Sequence, residues 1–291
     1  MPRCMTQSDQ VKGLLFTTLG ALAIVPDSLF VRLIAADALV IAFWRALFVG
    51  MAIILWFGLR AGRAPFAAVL ATGWKGWAYM ASVGASGVLF VLAVSLTSVA
   101  NVVFIIASMP VFAALFSRLL LGEAISVRMV WTMLAVVPGL AIIAYGSGET
   151  EGASLAGDLL ALAVSAVYAL GLTLVRQVKA VSMVPAVGLS YLGVAALLGL
   201  GLAGDLAMTA PQIGLSVAHA AFITASAVFM AIGPRFIPSA EVALLLLLES
   251  VLAPLLVWVV MGENPGPWTL TGGVVVLGAL ALSNWVALRR A

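Results

Sequence analysis

The chain has 291 residues, of which 64% are hydrophobic and 9% charged, and a formal net charge of +3. That composition excludes an ordinary water-soluble domain, and basic residues that fall at segment ends, not in a patch interleaved with aromatics, exclude a nucleic-acid surface. One cysteine, Cys4, leaves no means of building an intrachain disulfide or a zinc cluster.

A helix needs roughly 20 mainly apolar residues to cross hydrocarbon. The apolar runs predict ten such spans, at 11–33, 38–58, 74–95, 98–120, 127–145, 154–176, 184–202, 214–234, 238–261 and 267–288. The polar leader before the first span lacks a signal cleavage site, so nothing is expected to be removed. The breaks are short, and the longest, "GLRAGRAPFAAVLATG", is also the most basic. Lys and Arg are retained on the cytoplasmic side of a membrane. With the N-terminus inside, that side receives Arg3, Lys12, Arg60, Arg63, Lys75, Arg118, Arg128, Arg176, Lys179, Arg235, Arg289 and Arg290, against Arg32 alone on the other. Both termini are therefore expected in the cytoplasm.

The fourth span reads "SVANVVFIIASMPVFAALFSRLLLGE" and the ninth "SAEVALLLLLESVLAPLLVWVVMGE", with Gly122 and Gly262 separated by 140 residues. Each begins with serine, is interrupted by proline and closes in Gly-Glu. Five spans per copy is an odd number, so the second copy must enter the membrane inverted. That is the construction of secondary transporters, which bind substrate near the midplane between two repeats. The expected architecture is an all-α membrane protein of ten transmembrane helices in two inverted five-helix repeats, residues 1–150 and 151–291.

These repeats, together with the arginine of "AFWRALF" in the second span and "GDLLALAVSAVYAL" opening the second copy, resemble the EamA type of the drug/metabolite transporter superfamily. Within it the chain is most similar to the bacterial aromatic amino-acid exporters. The resemblance covers nearly the whole chain and implies a basket of ten helices around a central cavity. It also implies a multi-pass protein of the bacterial inner membrane that exports small metabolites. The chain departs from many relatives late in the first helix, where they carry Trp-Gly and this sequence reads "VPDSLF".

Ionisable side chains inside a span are costly and by default face the bundle interior or a wet cavity. Glu249 falls about 17 Å into the ninth span, with Glu241 about 12 Å nearer the cytoplasm and about 80° round the helix, so the two act separately. Glu249 reads either as a ligand for a substrate ammonium or proton carrier, or as a protonated acid bonded to a neighbouring helix. Glu241 reads as a substrate ligand or as an interfacial group. Asp27 follows Pro26, and either makes a midplane site beside a helix break or reaches the headgroups from the outer third of its span. Arg45 is the deepest base. It demands a carboxylate, either Asp27 in an ion pair or that of a substrate. His219, the only histidine, reads as a packing residue. Glu123 and Glu263 are assigned to hydrogen bonding at helix ends.

Tyr79 and Tyr168 lie inside spans that the resemblance implies line the cavity, and their rings would stack on an aromatic or aliphatic substrate. Ser82 shares a small-residue stripe with Tyr79, read as helix packing or as substrate contact. Asn101 matches Glu241 by the 140-residue offset and is expected to line the opposite gate. Pro110 and Pro254 are expected to interrupt the fourth and ninth helices and let them swing as gates. A small-molecule substrate and the lipid bilayer are the expected partners of a monomer that needs no cofactor and no metal. Enzyme chemistry is not expected: "GLSY" and His219 lack an oxyanion arrangement, and "TLTGGVVVLG" lacks the Lys-Ser/Thr of a phosphate loop. A multidrug or nucleobase exporter of the same fold is the alternative.

Overall fold

A computed structural model describes residues 7–148, 152–178, 180–202, 205–233, 236–237 and 239–290. Lipid offers no partner for backbone N–H and C=O groups, so a spanning chain must satisfy them internally, and this one does so with helices. They are α1 (Gln7–Ile24), α2 (Asp27–Ile34), α3 (Ala38–Ala61), α4 (Ala64–Leu70), α5 (Trp74–Leu96), α6 (Val99–Ile106) and α7 (Met109–Leu121). There follow α8 (Val127–Gly146), α9 (Leu155–Val175), α10 (Val184–Gly201), α11 (Ala210–Ile232), α12 (Ser239–Met261) and α13 (Gly266–Arg290). Among the described residues nine segments are long and apolar enough to cross a membrane, with α1–α2 and α6–α7 each counting as one. The apolar stretch of α12, Leu245–Met261, is shorter.

Two spans are broken inside the bundle. Pro26 has no N–H to continue α1, and α2 restarts at Asp27 with Val25, Asp27 and Ser28 all buried in protein. Ala107 and Ser108 separate α6 from α7, and the Ser108 hydroxyl returns a hydrogen bond to the Ile105 carbonyl at 2.6 Å. Pro110 occupies the first turn of α7, where a missing N–H costs nothing. Pro254 departs from expectation: it lies within an unbroken α12, so the ninth span is not interrupted there. The other departure is α4, which forms in the basic break because an alanine-rich stretch has Pro65 near its start and lies between Gly62 and Gly73, both at positive φ.

The helices form a closed circuit, each packing on the next in the order α1, α11, α3, α10, α5, α9, α7, α8, α13, α12 and back to α1. Inside it lie α2, packed on α11, α5 and α12, and α6, packed on α9, α12, α13 and α5. Both belong to the end of the bundle remote from the start of α1, called here the distal end. Every residue of α6 from Val99 to Ile105 is buried, whereas in α7, which continues the span to the near end, Ser117 alone is. The distal end is filled and the near end is loosely covered.

Glycines allow the closest helix contact. A Cβ on Gly272 of α13 would stand 2.6 Å from the Gly139 carbonyl of α8, whereas one on Gly278 would meet nothing within 4 Å. Overpacking typically costs about 1–3 kcal/mol. Gly272→Leu is therefore expected to lower the thermal midpoint in detergent by several degrees, with Gly278→Leu unchanged within error.

Candidate functional site

The deepest charges meet around the break in the first span. Asp27, at the start of α2, is 5% exposed and takes Arg45 Nη2 on one carboxylate oxygen at 2.9 Å and His219 Nε2 on the other at 2.6 Å. Arg45, on α3, spends Nη1 on the Gly87 carbonyl of α5 at 3.2 Å. Its guanidinium carbon lies over the rings of Phe90 and Tyr191, 5.5 and 5.8 Å from their centroids. A side chain at Gly87 would crowd that guanidinium at 3.3 Å, which explains a glycine mid-helix. His219, on α11, is fully buried and stacked on Phe30 at 5.4 Å. The carboxylate thus gathers α2, α3 and α11, and the arginine extends the group to α5 and α10.

Of the readings open for Asp27, its burial removes the one in which it reaches the headgroups. Arg45 holds Asp27, not an open position. His219 is more than packing, and sequence reasoning missed its partner, which lies 192 residues away. Tyr191 was also missed, although a tyrosine seven residues into an apolar helix was the available signal. Arg45 Nε, His219 Nδ1 and Ser28 Oγ are buried with no hydrogen-bond partner among the described residues. Buried polar atoms are ordinarily satisfied, so this cluster has unused donor and acceptor capacity.

Glu249 is half-buried midway along α12, about 15–18 Å from its ends. It lies in coulombic range of Asp27 and of Tyr168, and Tyr168 in turn of Tyr79 and Tyr191. Tyr168 keeps 39% of its surface accessible, and Tyr79 is half-buried. Among the described residues α9 packs on α5, α6 and α7 while α12 packs on α1, α2, α6 and α13, and these two helices do not pack closely on each other. Between them lies α6, which packs on both, with Glu249 on α12 and Tyr168 on α9.

Other expected contacts are placed elsewhere. Ser82 faces the α5–α9 interface, bonded to the Ala78 carbonyl at 2.9 Å and close to Gly171, so it packs helices. Asn101 is fully buried in a distal network: its amide donates to Asp158 at 3.0 Å and Ser147 at 2.8 Å, and accepts from Thr269 at 2.6 Å. With its hydrogen bonds taken up inside protein, it does not line an open gate here. Glu241 is half-buried, with one oxygen buried and unpartnered among the described residues. Pro110 lines a cavity of about 320 Å³ beside α7, with Ser117 and Glu123, and Pro254 is buried in α12.

Among the described residues Glu123 and Glu263 bond elements other than the segment that follows each. Glu263 pairs with Arg32 of α2 at 3.0 Å and accepts the Val99 N–H, in the first turn of α6, at 2.6 Å. Glu123 pairs with Arg176 at 2.6 Å.

Residues 11–145 match the EamA-like transporter family. No curated protein matches. Among 14 matching solved chains is one described only as "Crystal structure of protein", 19% identical, covering 95% of this chain and 98% of that one with a TM-score of 0.66. This likeness shows a fold shared along nearly the entire length. With nine apolar segments long enough to cross a membrane among the described residues, and a match to a family of membrane transporters over residues 11–145, the chain is a multi-pass membrane protein.

Removing one partner of a buried ion pair typically costs about 3–5 kcal/mol, because the other charge is stranded. Asp27→Asn and Arg45→Gln are each expected to lower the thermal midpoint strongly in detergent. The double variant should recover much of the loss, and simple additivity would show that the two do not depend on each other.

Proposed function

We propose that the chain is a secondary transporter that exports small metabolites, aromatic or other neutral amino acids first among them, across a bacterial inner membrane. Ten spans, with α12 as the ninth, form two inverted five-helix halves, residues 1–150 and 151–291, and substrate binds between them. The reading rests above all on Glu249, half-buried midway along α12 and in coulombic range of Tyr168 and of Asp27 in the Asp27–Arg45–His219 cluster. A carboxylate beside aromatic rings suits a substrate with an ammonium group and a flat or aliphatic body. Enzymatic chemistry has no comparable support.

Basic residues concentrate at the near end, including Arg60, Arg63, Lys75, Arg118, Arg128 and Arg176, so the near end faces the cytoplasm. The filled distal end then faces outward, and on this reading the loosely covered near end belongs to an inward-facing stage of alternating access. Pro110, at the α6–α7 break, is the gating proline of the first half. Pro254, inside a continuous helix, has a lesser role. Glu241, near the cytoplasmic end of α12, lies on the path of a substrate entering from that side.

An organic-cation exporter is the second reading, favoured by Glu249 lying near tyrosines while Arg45 is already committed to Asp27. Purified protein in liposomes distinguishes the two. Saturable flux of a labelled aromatic amino acid, competed by unlabelled analogues, is expected, whereas competition by organic cations alone would select the second reading.

If Glu249 gives up a proton in each cycle, Glu249→Gln loses the dependence of flux on a pH gradient. Retained dependence would remove that role. Pro110→Ala is expected to slow flux several-fold and Pro254→Ala to slow it less, in the same liposome assay with folded protein confirmed by its elution profile.

A further inference from the structure

Two ion pairs at opposite ends of the bundle are related by the repeat. Glu123 and Glu263 are 140 residues apart, and Arg32 and Arg176 are 144 apart. Arg32 ends the first span and pairs with the acid after the ninth, while Arg176 ends the sixth and pairs with the acid after the fourth. Exchanging the two halves turns one pair into the other. Their surroundings nevertheless differ. The Arg32 and Glu263 side chains are 25% and 24% exposed, those of Arg176 and Glu123 53% and 47%.

The use of the carboxylate oxygens differs as well. At the distal end Glu263 divides its oxygens, placing Oε2 on Arg32 and Oε1 on the N–H of Val99. Arg32 adds a bond from Nη2 to the Thr97 carbonyl at 2.9 Å, just before α6. One carboxylate thereby ties the ends of α2, α6 and α12 together where the bundle is filled. A charge-assisted bond to the free N–H of a helix start is stronger than a neutral one. At the near end both oxygens of Glu123 lie on Arg176, at 2.6 and 3.1 Å, in the open beside a cavity of about 280 Å³ lined by Leu121, Glu123, Arg176 and Gln177.

We infer that Glu263 and Glu123 are reciprocal gate locks: each closes its end by placing one oxygen on the helix start that faces it, and rests on its arginine alone when that end is open. The structure holds the distal lock closed, on Val99 at the start of α6. In the opposite stage Glu263 withdraws from Val99, and Glu123 transfers one oxygen to the start of α12, where Ser239 is the counterpart of Val99 at the same offset. Both glutamates and both arginines are then positioning residues of the transport cycle, touching no substrate. The inference deepens the alternating-access reading and rests on it.

The test uses the full chain in detergent with Cys4→Ser and a single reporter cysteine, labelled by a hydrophilic maleimide. Ala100→Cys, on α6, reports distal opening, and Ala113→Cys, on α7, reports near-end opening. Glu263→Ala is expected to raise the labelling rate at position 100 about fivefold or more and to lower it at position 113. Glu123→Ala is expected to shift both rates the opposite way, and Glu263→Gln, which keeps the acceptor but not the charge, to fall between parent and alanine. A rate at position 100 within about twofold of parent in folded Glu263→Ala, or both reporters moving in one direction, overturns the lock. If Glu263→Ala does not fold, Arg32→Gln carries the same expectation and the same refutation. Because no substrate enters this measurement, absent amino-acid flux would defeat the substrate assignment while leaving the labelling result to judge the lock.

Discussion

A helix cannot break in hydrocarbon unless protein takes over its unpaired backbone groups, and the break at Pro26 governs much of this molecule. It makes α2 a separate short helix whose first residue, Asp27, has two buried partners. The carboxylate lies at a helix start, where the backbone dipole favours negative charge, and receives Arg45 and His219 from neighbouring helices. Each group compensates another that would be costly alone. Gly87 yields its Cβ to the guanidinium, and Phe90 and Tyr191 cover its faces. At its other end α2 closes on Ala35, in a left-handed conformation, with the last carbonyl of the helix held by Gln212 at 2.9 Å.

The second break gives the bundle its polarity. Because the α6–α7 span is divided at Ala107–Ser108, its distal half turns into the centre and its near half stays at the rim. The distal half is fastened from several directions. Ser98 caps it, Asn101 joins it to Asp158, Ser147 and Thr269, and Glu263 takes the Val99 N–H. Among the described residues no comparable set of bonds holds α7, whose side chains are mostly half-exposed. The two ends thus differ in closure.

Most spans were legible because lipid enforces them: length and apolarity decide, and the helices stand within a few residues of expectation. The Asp27–Arg45 contact was legible for a related reason, since a buried guanidinium demands an acid and few are near in sequence. His219 was not, because no local pattern states that residue 219 faces residue 27. Asn101 was matched to Glu241 by the 140-residue offset, and its polar network was not foreseen. Equivalence to Glu241 gives the level in the membrane but not whether the side chain meets a cavity or a polar network. Pro254 shows the limit of proline as a signal, for a helix tolerates it when neighbours compensate, whereas at Pro26 and Pro110 the chain breaks. Glu263 was read as an end cap for the following segment, and its reach to α6 depends on the circuit of helices, which no local reading contains.

The same circuit constrains which parts can move. Asp27 and Arg45 come from the first half of the sequence and His219 and Tyr191 from the second, yet they form one buried cluster. Shearing the two halves as rigid bodies would separate charges whose isolation costs several kcal/mol. Helix α3 packs on α10 and α11, and α5 on α9, so the tightest contacts also cross the halves. Relative motion costs least where packing is weakest, between α9 and α12 and along α7. Moving bodies drawn on that criterion take members from both halves of the sequence and leave the Asp27 cluster intact within one of them.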